Sequence, residues 1–411
     1  VAAGTVADYA ASILKTIYSN DAIENSTLSQ SPAFGQLPKD ETFAGYDFRE
    51  LCFYGDLQGV GAGFAAAQSA VGNPSDAVYT LTRKETYAVA QLAGWLIEAA
   101  KAGDKAAFVS ALKRHMDSAL HAITLTMSMN VFRDTYMDRG TCTNSTTTVT
   151  MANKDDIVLI EKGMPVVFTA TASGVLLTTS ASTTVSSVNR AAGTFVVASA
   201  TGLTGTMYVF RTTDSDATTS AGSSGLGITG FRGWMPSTVG TLFGQDCTLD
   251  SQRLGGNRYD GSGKSMRECI NNAVAVSDRD DSMWDSLFIP PTHYGRLVNE
   301  LGTNVRYCQE PAMGSKGPSA TVGFEGIQII GPGSKPAKVF ADRFCQPGLG
   351  YGLKKDVWKL RSLNKAPHIL DLDGLTMLRQ STANNYELRW GAGYQLGCRN
   401  PGANIVITLP T

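Results

Sequence analysis

Apolar positions follow helical spacing at two places near the start of the chain and strict alternation at one place near its end. Val6, Tyr9, Ala10, Ile13 and Ile17 fall on one face of a short amphipathic opening. The stretch from Asn20 to Asp47 is polar and broken by Pro32, Pro38 and several glycines. It has too little apolar content for a core of its own, so it is predicted to be an arm that borrows order from its body or a neighbouring chain. Two extended stretches, Tyr46–Tyr54 and Val78–Leu92, flank the Gly- and Ala-rich run Gly59–Gly72 and the turn signal Asn73-Pro74. They predict a long projecting hairpin whose second strand carries Arg83, Lys84 and Glu85 as a charged tip, either solvated or paired across a subunit contact. Asp104 then caps a helix with the stripe Phe108, Leu112, Met116, Ala119, Ile123, Met127 and Val131, running to about Asp138. Roughly 34 residues at 1.5 Å rise make a strut of about 50 Å.

From Gly140 the composition turns to Thr, Ser, Val and Gly, with short strands at Thr147–Met151, Val166–Thr171 and Phe195–Ala198, up to about Gly230. This predicts an inserted all-β module, with Thr212–Gly225 as its flexible return linker. Beyond it, a helix at Lys264–Val276, a buried strand at Leu287–Ile289 ended by Pro290-Pro291, and a helix at Thr292–Leu301 capped by Thr292 imply an α/β layer. Strands follow at Gly326–Ile330 and Ala337–Phe340. Tyr386, Leu388, Trp390, Ala392, Tyr394, Leu396 and Cys398 then alternate with Glu387, Arg389, Gln395 and Arg399, which predicts a half-buried strand of about 40 Å. Asn400-Pro401-Gly402 is expected to turn it so that Ile405–Leu409 pairs back.

At 411 residues the chain is too long for a single core, and two or more domains are expected. Charged residues make up 17%, short of the usual share, which leaves neutral surface that a free monomer does not need and tilts towards an assembling protein. A net charge of -1 disfavours tight sequence-independent binding to DNA. Cys52, Cys142, Cys247, Cys269, Cys308, Cys345 and Cys398 are odd in number and nowhere spaced as CxxC, so they are expected to be reduced thiols in a cytosolic product. No apolar run approaches the ~18 residues of a membrane helix, and the start lacks the pattern of a secretory signal. Val1 implies that an initiator methionine or a longer leader has been removed.

Candidate chemistry is sparse. Gly261-Ser262-Gly263-Lys264-Ser265 ends like a phosphate-binding loop and opens a helix, but Arg258 stands where the first glycine belongs and no hydrophobic strand precedes it. Gly59-Val60-Gly61-Ala62-Gly63 lacks the remaining features of a dinucleotide fingerprint. His115 and His121 have no metal spacing, and four histidines offer little for acid–base work. No catalytic, cofactor-binding or metal site is expected, and the chain is not expected to be an enzyme.

The order of elements resembles the Hong Kong 97-type major capsid proteins of tailed bacteriophages. The likeness is carried by Asp47-Phe48 entering the hairpin, Gly103-Asp104 through Asp138, Leu287-Phe288-Ile289-Pro290-Pro291, Phe340-Ala341-Asp342, and the run from Asn384 through Asn400-Pro401-Gly402 to Leu409. It implies an α+β, Hong Kong 97-like capsid fold with an inserted all-β module. Its parts would be an N-terminal arm (1–45), an extended hairpin loop (46–95), the spine helix of a peripheral domain (96–140), the inserted module (141–231), an axial domain (232–341), and a return to the peripheral domain with a C-terminal β-hairpin (342–411). The implied function is self-assembly into pentamers and hexamers of an icosahedral head around double-stranded DNA. An encapsulin-like compartment shell and a P-loop enzyme are the alternatives.

Some members of the family crosslink a hairpin lysine to a strand asparagine with the help of a glutamate. Lys84 and Asn385 occupy roughly suitable places, but the glutamate's position falls near Ala392 and Gly393. Non-covalent contact is therefore expected, with Arg83, Lys84 and Glu85 of one subunit meeting residues such as Glu387 and Arg389 of another. The resemblance further implies a portal and possibly scaffold, protease or decoration proteins as partners, weak non-specific contact with packaged DNA, no membrane and no cofactor. The location implied is the virion capsid, assembled in the bacterial host cytoplasm. The sequence separates none of three roles for the module: stiffening, neighbour contact or display.

Overall fold

A computed structural model of the chain describes residues 31–94, 105–177, 183–199, 203–217, 225–301, 327–370 and 377–410, and for residues 105–115 the backbone only. The amphipathic opening, residues 20–30 of the polar arm, Asp104, the side chains of Phe108, Leu112 and His115, and residues 218–224 of the return linker thus lie outside what is described.

Helix α1 (Pro32–Gln36) starts where the Ser31 hydroxyl accepts from the Phe34 amide. Strand β1 (Lys39–Asp40) follows, and then the hairpin of β2 (Asp47–Gly55) and β3 (Ser75–Thr82), paired from Asp47↔Thr82 to Gly55↔Ser75. Its far end carries helix α2 (Phe64–Ser69). Period-two alternation sends Cys52, Ala77, Tyr79 and Leu81 into the core, and Arg49, Leu51, Phe53 and Val78 outwards. Strand β4 (Lys84–Ala93) then leaves the ribbon for a different sheet.

Helix α3 (Lys105–Phe132), the spine, has 28 residues and a length of about 42 Å. Ala119, Ile123, Met127 and Val131 are buried along it, as their spacing predicts. It ends six residues before Asp138. Gly230 of the returning chain presses on the carbonyls of Asn130, Val131 and Arg133, where an added Cβ would lie 2.3–2.4 Å from each. Asp134 accepts from the Tyr136 amide (3.1 Å) to start a turn instead.

The inserted segment is a closed six-stranded barrel. Its strands are β5 (Thr141–Ser145), β6 (Thr148–Met151), β7 (Pro165–Thr169), β8 (Thr183–Asn189), β9 (Thr194–Val197) and β10 (Met207–Arg211), in the order β10-β5-β6-β9-β8-β7. Closure leaves no unpaired edge. Val149, Val166, Phe168, Val185, Phe195 and Val209 fill a core separate from that of the body. The chain enters and leaves side by side, with Arg139 N donating to Val209 O (2.8 Å) and Val209 N to Gly140 O (3.1 Å).

The remainder supplies helix α4 (Phe231–Trp234), a small ribbon of β11 (Thr241–Leu242) and β12 (Gln245–Asp246), helix α5 (Ser251–Gly255), β13 (Asn257–Asp260), α6 (Met266–Arg279), β14 (Ser286–Ile289), α7 (Pro291–Leu301), β15 (Ile327–Ile330), β16 (Pro336–Ala341), β17 (Leu349–Leu353), β18 (Trp358–Ser362), β19 (His368–Ile369), β20 (Leu378–Arg379), β21 (Asn385–Cys398) and β22 (Ile405–Thr408). A first sheet runs β1-β18-β21-β19, with β4 and β20 also on β21. A second runs β13-β22-β17-β14-β16-β15. An aromatic cluster joins spine, hairpin and both sheets: Phe132 meets Phe231 at 5.4 Å, Phe231 meets Trp358 at 4.9 Å and Tyr79 meets Trp234 at 5.1 Å between ring centroids.

Three expectations are corrected. The C-terminal β-hairpin does not form: β22 lies in the second sheet, parallel to β13 and antiparallel to β17. The edge of β21 that a returning strand would need is already taken by β18, from Trp358↔Cys398 to Ser362↔Tyr394. With Ile405 and Ile407 fully buried and Val406 partly so, β22 suits an interior position. Asn404 fixes the crossing, its Oδ1 accepting from Trp358 Nε1 (2.8 Å) and the Lys354 amide (2.9 Å). Residues 349–353 and 405–408 therefore share a sheet with β14, not with the spine.

The long strand is also more than half-buried. Gln395 is 1% exposed and bonded through both ends of its amide, accepting from the Thr229 and Leu396 amides and donating to Thr82 O, all at 3.0 Å. Finally, α7 begins at Pro291, so Thr292 lies inside its first turn; its hydroxyl donates to Asp155 of the barrel at 2.9 Å.

Candidate assembly surfaces

Buried ion pairs set the hairpin's direction. Glu50, 4% exposed, lies on the inward face of β2. Its Oε2 accepts from Arg361 Nε (2.9 Å) and Nη2 (2.7 Å), and its Oε1 from Arg399 Nε (3.1 Å). Arg361 also donates to Asp40 (2.6 Å) and stacks its guanidinium 3.8 Å above the Phe48 ring. From the other side, Thr80 N donates to Phe243 O (3.1 Å) in the β11–β12 turn. The root of the hairpin is therefore rigid.

A second ionic cluster joins barrel to spine. Arg133 donates to Asp156 (2.8 Å) and Asp138 (3.3 Å), and Arg139, fully buried, to Asp214 (2.8 Å) and Leu159 O (2.9 Å). Arg232 approaches Asp134 and Asp138 at 3.7 and 3.6 Å. Burial pushes the Asp156 and Asp134 carboxyls above their usual range, and Asp138 beside Asp134 adds to the push there.

Beyond its braced root the hairpin is apolar on the outside. Leu51 and Val78 form an exposed cross-strand pair beside Phe53, and the far end exposes Leu57, Val60 (85%), Phe64 (84%) and Val71. Tyr46, Tyr87 and Val89 are exposed near the root. Large apolar side chains on one projecting element mark a surface meant to be covered.

The charged residues do not form a tip. Arg83 sits between β3 and β4, at the root, where its amide donates to Tyr46 O (3.3 Å) and its Nη1 to Gly45 O (3.3 Å). Lys84 donates to Gly225 O (3.0 Å), and Glu85 lies 3.9 Å from Arg83 and accepts from the Tyr87 hydroxyl. The far end carries the Gly- and Ala-rich run instead, because the extended stretch Val78–Leu92 changes partner at Arg83, a change that the sequence does not mark. Lys84 pairs with Tyr394 and Asn385 with Ala93, so the two stand at opposite ends of the same strand pair, about 30 Å apart. Glu387 accepts from Arg389 (2.7 Å) and from Gln380. Ala392 is buried, and Gly393 lies against the Arg83 side chain.

The phosphate-loop look-alike is filled from within. Ser265 caps α6, and the Glu300 carboxylate takes the Met266 and Arg267 amides, both at 3.0 Å, where a phosphate would sit. Among the described residues no group of His, Cys, Asp and Glu is placed to hold a metal ion, and no helix is long and apolar enough to cross a membrane. Sequence reading missed Glu50, whose carboxylate differs in no local way from a surface one. It also missed the apolar outer face, although a strand apolar on both faces (Phe48, Leu51, Cys52, Phe53) was a signal for it.

No protein-family model and no curated protein matches the chain. Among solved structures, the capsid asymmetric unit of cyanophage A-1(L) aligns over 97% of this chain and 98% of that one, at a TM-score of 0.53 and 11% identity. A structure from Mycobacterium phage Bobi aligns over 99% and 98% (TM-score 0.44, 9% identity), and the capsid of a native GTA particle over 97% and 96% (TM-score 0.45, 9% identity). At 11% identity the cyanophage likeness is one of fold. With its hairpin, spine helix, two sheets and inserted barrel, the chain has the α+β, Hong Kong 97-like capsid fold.

Proposed function

We propose that this chain is a major capsid protein that self-assembles into pentamers and hexamers of an icosahedral head enclosing double-stranded DNA. The observation that carries the proposal is the hairpin: braced at its root by Glu50, Arg361 and Arg399, and apolar along the face it turns away from its own body. A rigid arm with an uncovered apolar face stabilises an assembly and costs a monomer solubility. Head-to-tail use of such an arm closes rings.

The outer face of β4 and β21 is proposed as one side of the contact, with Arg83, Lys84, Glu85, Asn385, Glu387 and Arg389 in or beside it. The in-chain separation of Lys84 from Asn385 means that only two different chains could bring them together. Strengthening is proposed to be non-covalent, because Ala392 and Gly393 stand where an assisting glutamate would be needed. Shells of Lys84→Ala and Arg389→Ala that survive heating like the parent would remove these residues from the contact.

Portal, scaffold, protease and decoration proteins are proposed partners by the same reading, with only weak contact to DNA at a net charge of -1. The virion is the proposed location, with assembly in the host cytoplasm. Negative-stain microscopy of the purified protein tests the proposal. Capsomers or closed shells are expected; a solitary, monodisperse subunit at high concentration, or one that turns over nucleoside triphosphates, overturns it. A co-purifying enzyme cargo would move the shell to the encapsulin-like class.

A further inference from the structure

The end of the spine helix meets the second sheet at an aromatic contact, where Phe132 packs on Tyr351 of β17 at 5.8 Å between ring centroids. Beside that contact lies a cleft of about 740 Å³, which Tyr351 also lines. Its walls include Arg133 and Asp138 just beyond the spine, Tyr259 of β13 and Val406 of β22 in the second sheet, and Asn153 and Asp156 of the barrel. The cleft is polar and incompletely bonded. Arg133 Nε and Asp138 Oδ1 are buried with no hydrogen-bond partner among the described residues, and that oxygen of Asp138 has only the long approach of Arg232 at 3.6 Å. A roomy gap lined by such groups takes up water, and a wet contact yields to tilting more readily than a close-packed one.

One turn of the barrel, Lys154–Leu159, holds both sides of this joint. Asp156 accepts from Arg133 at the end of the spine (2.8 Å), and its neighbour Asp155 accepts from Thr292 of α7 (2.9 Å), a helix whose Leu297 belongs to the core of the second sheet. Leu159 of the same turn enters the core of the body, and Ile157 that of the barrel. We infer that this turn is a strap that fixes the angle between spine and second sheet, with Phe132 and Tyr351 as the pivot. The inserted barrel is then the part of the chain that sets the shape of the subunit. Its consequence rests on the shell reading above: the angle within each copy decides the curvature that the copy brings to a closed assembly, so the strap selects the diameter of the shell.

Two measurements on the full chain test the strap. Ser118→Cys and Asn299→Cys, both at exposed positions, place spin labels on the spine and on α7, with Cys308→Ser in the same chain; the other cysteines are buried. In the unassembled subunit this labelled parent should give one narrow distance distribution. Thr292→Glu sets a carboxylate against Asp155 and should make the distribution about twofold broader, and adding Asp155→Lys should narrow it again. Thr292 is exposed and Asp155 half-buried, so these changes leave the buried ion pairs in place. Assembled without labels, the parent and the double variant should give shells of one diameter, and Thr292→Glu shells of mixed diameter. A Thr292→Glu chain with the parent's distance distribution, or one that Asp155→Lys does not restore, would overturn the strap. Altered distances in shells of parental diameter would overturn its part in setting size. A parent that forms no shells would overturn the shell reading, and the distances in the subunit would still decide the strap.

Discussion

Arg133, the first residue beyond the spine helix, donates to Asp156 of the barrel at 2.8 Å, and neither side chain has more than a tenth of its surface open to water. The barrel has its own core and closed hydrogen bonding, yet its segment Lys154–Leu159 also lends Leu159 to the core of the body. It is built as a module and docked as a part.

Removing one side of that pair should be costly. Arg133→Met leaves Asp156 buried without its cation and Asp138 with Arg232 alone, and is expected to lower the stability of the unassembled subunit by about 3–5 kcal/mol. Adding Asp156→Leu should restore a large part of it. Urea unfolding measures both; a single variant as stable as the parent would show that the cluster contributes nothing.

Glu50→Ala should loosen the hairpin without unfolding the body. Arg361 keeps Asp40, but Arg399 loses the carboxylate its Nε donates to and the buried Arg361 guanidinium loses two hydrogen bonds. A cost of about 3 kcal/mol or more is expected. Hydrogen exchange should speed up in β2 and β3 and stay unchanged in the barrel; equal effects in both would argue against a local brace.

Asp134 gives a pH dependence with a definite sign. Its folded-state carboxyl holds a proton more tightly than in the unfolded chain, chiefly through burial and secondarily through Asp138. The folded state therefore binds more protons, so this group's contribution is present at low pH and is lost as pH rises through the folded value. Between the ordinary carboxylate range and that value, the stability difference between the parent and Asp134→Asn should shift towards the parent as pH falls. Urea midpoints from about pH 3.5 to 6 measure it, and a difference that shifts the other way would reverse the assignment.

Gly230→Ala tests the end of the spine. A methyl group there has three carbonyl oxygens within 2.4 Å and no flexible side chain to displace. A loss of about 3 kcal/mol or more is expected, seen as a fall in soluble yield and thermal midpoint. An alanine variant with parental stability would mean that the returning chain can move off the helix end.

The spine stripe from Ala119 to Val131, the barrel strands at Thr148–Met151 and Pro165–Thr169 and the buried β14 were legible because each is a local pattern. Periodicity states which side chains share a face, and a helix or a strand follows from it directly. The Gly- and Ala-rich run Gly59–Gly72 was legible too, as the connection between the two hairpin strands.

Only the tertiary structure decided which partner each strand takes. The extended stretch Val78–Leu92 reads as one strand, yet Arg83 divides it between two sheets. Ile405–Thr408 carries a strand pattern that would suit either sheet, and competition for the edge of β21, won by β18, sends it to the second. The ion pairs of Glu50 with Arg361 and of Arg139 with Asp214 join residues far apart in the chain. Their burial is a property of the packed whole, because a charge leaves water only where another element delivers its counter-charge.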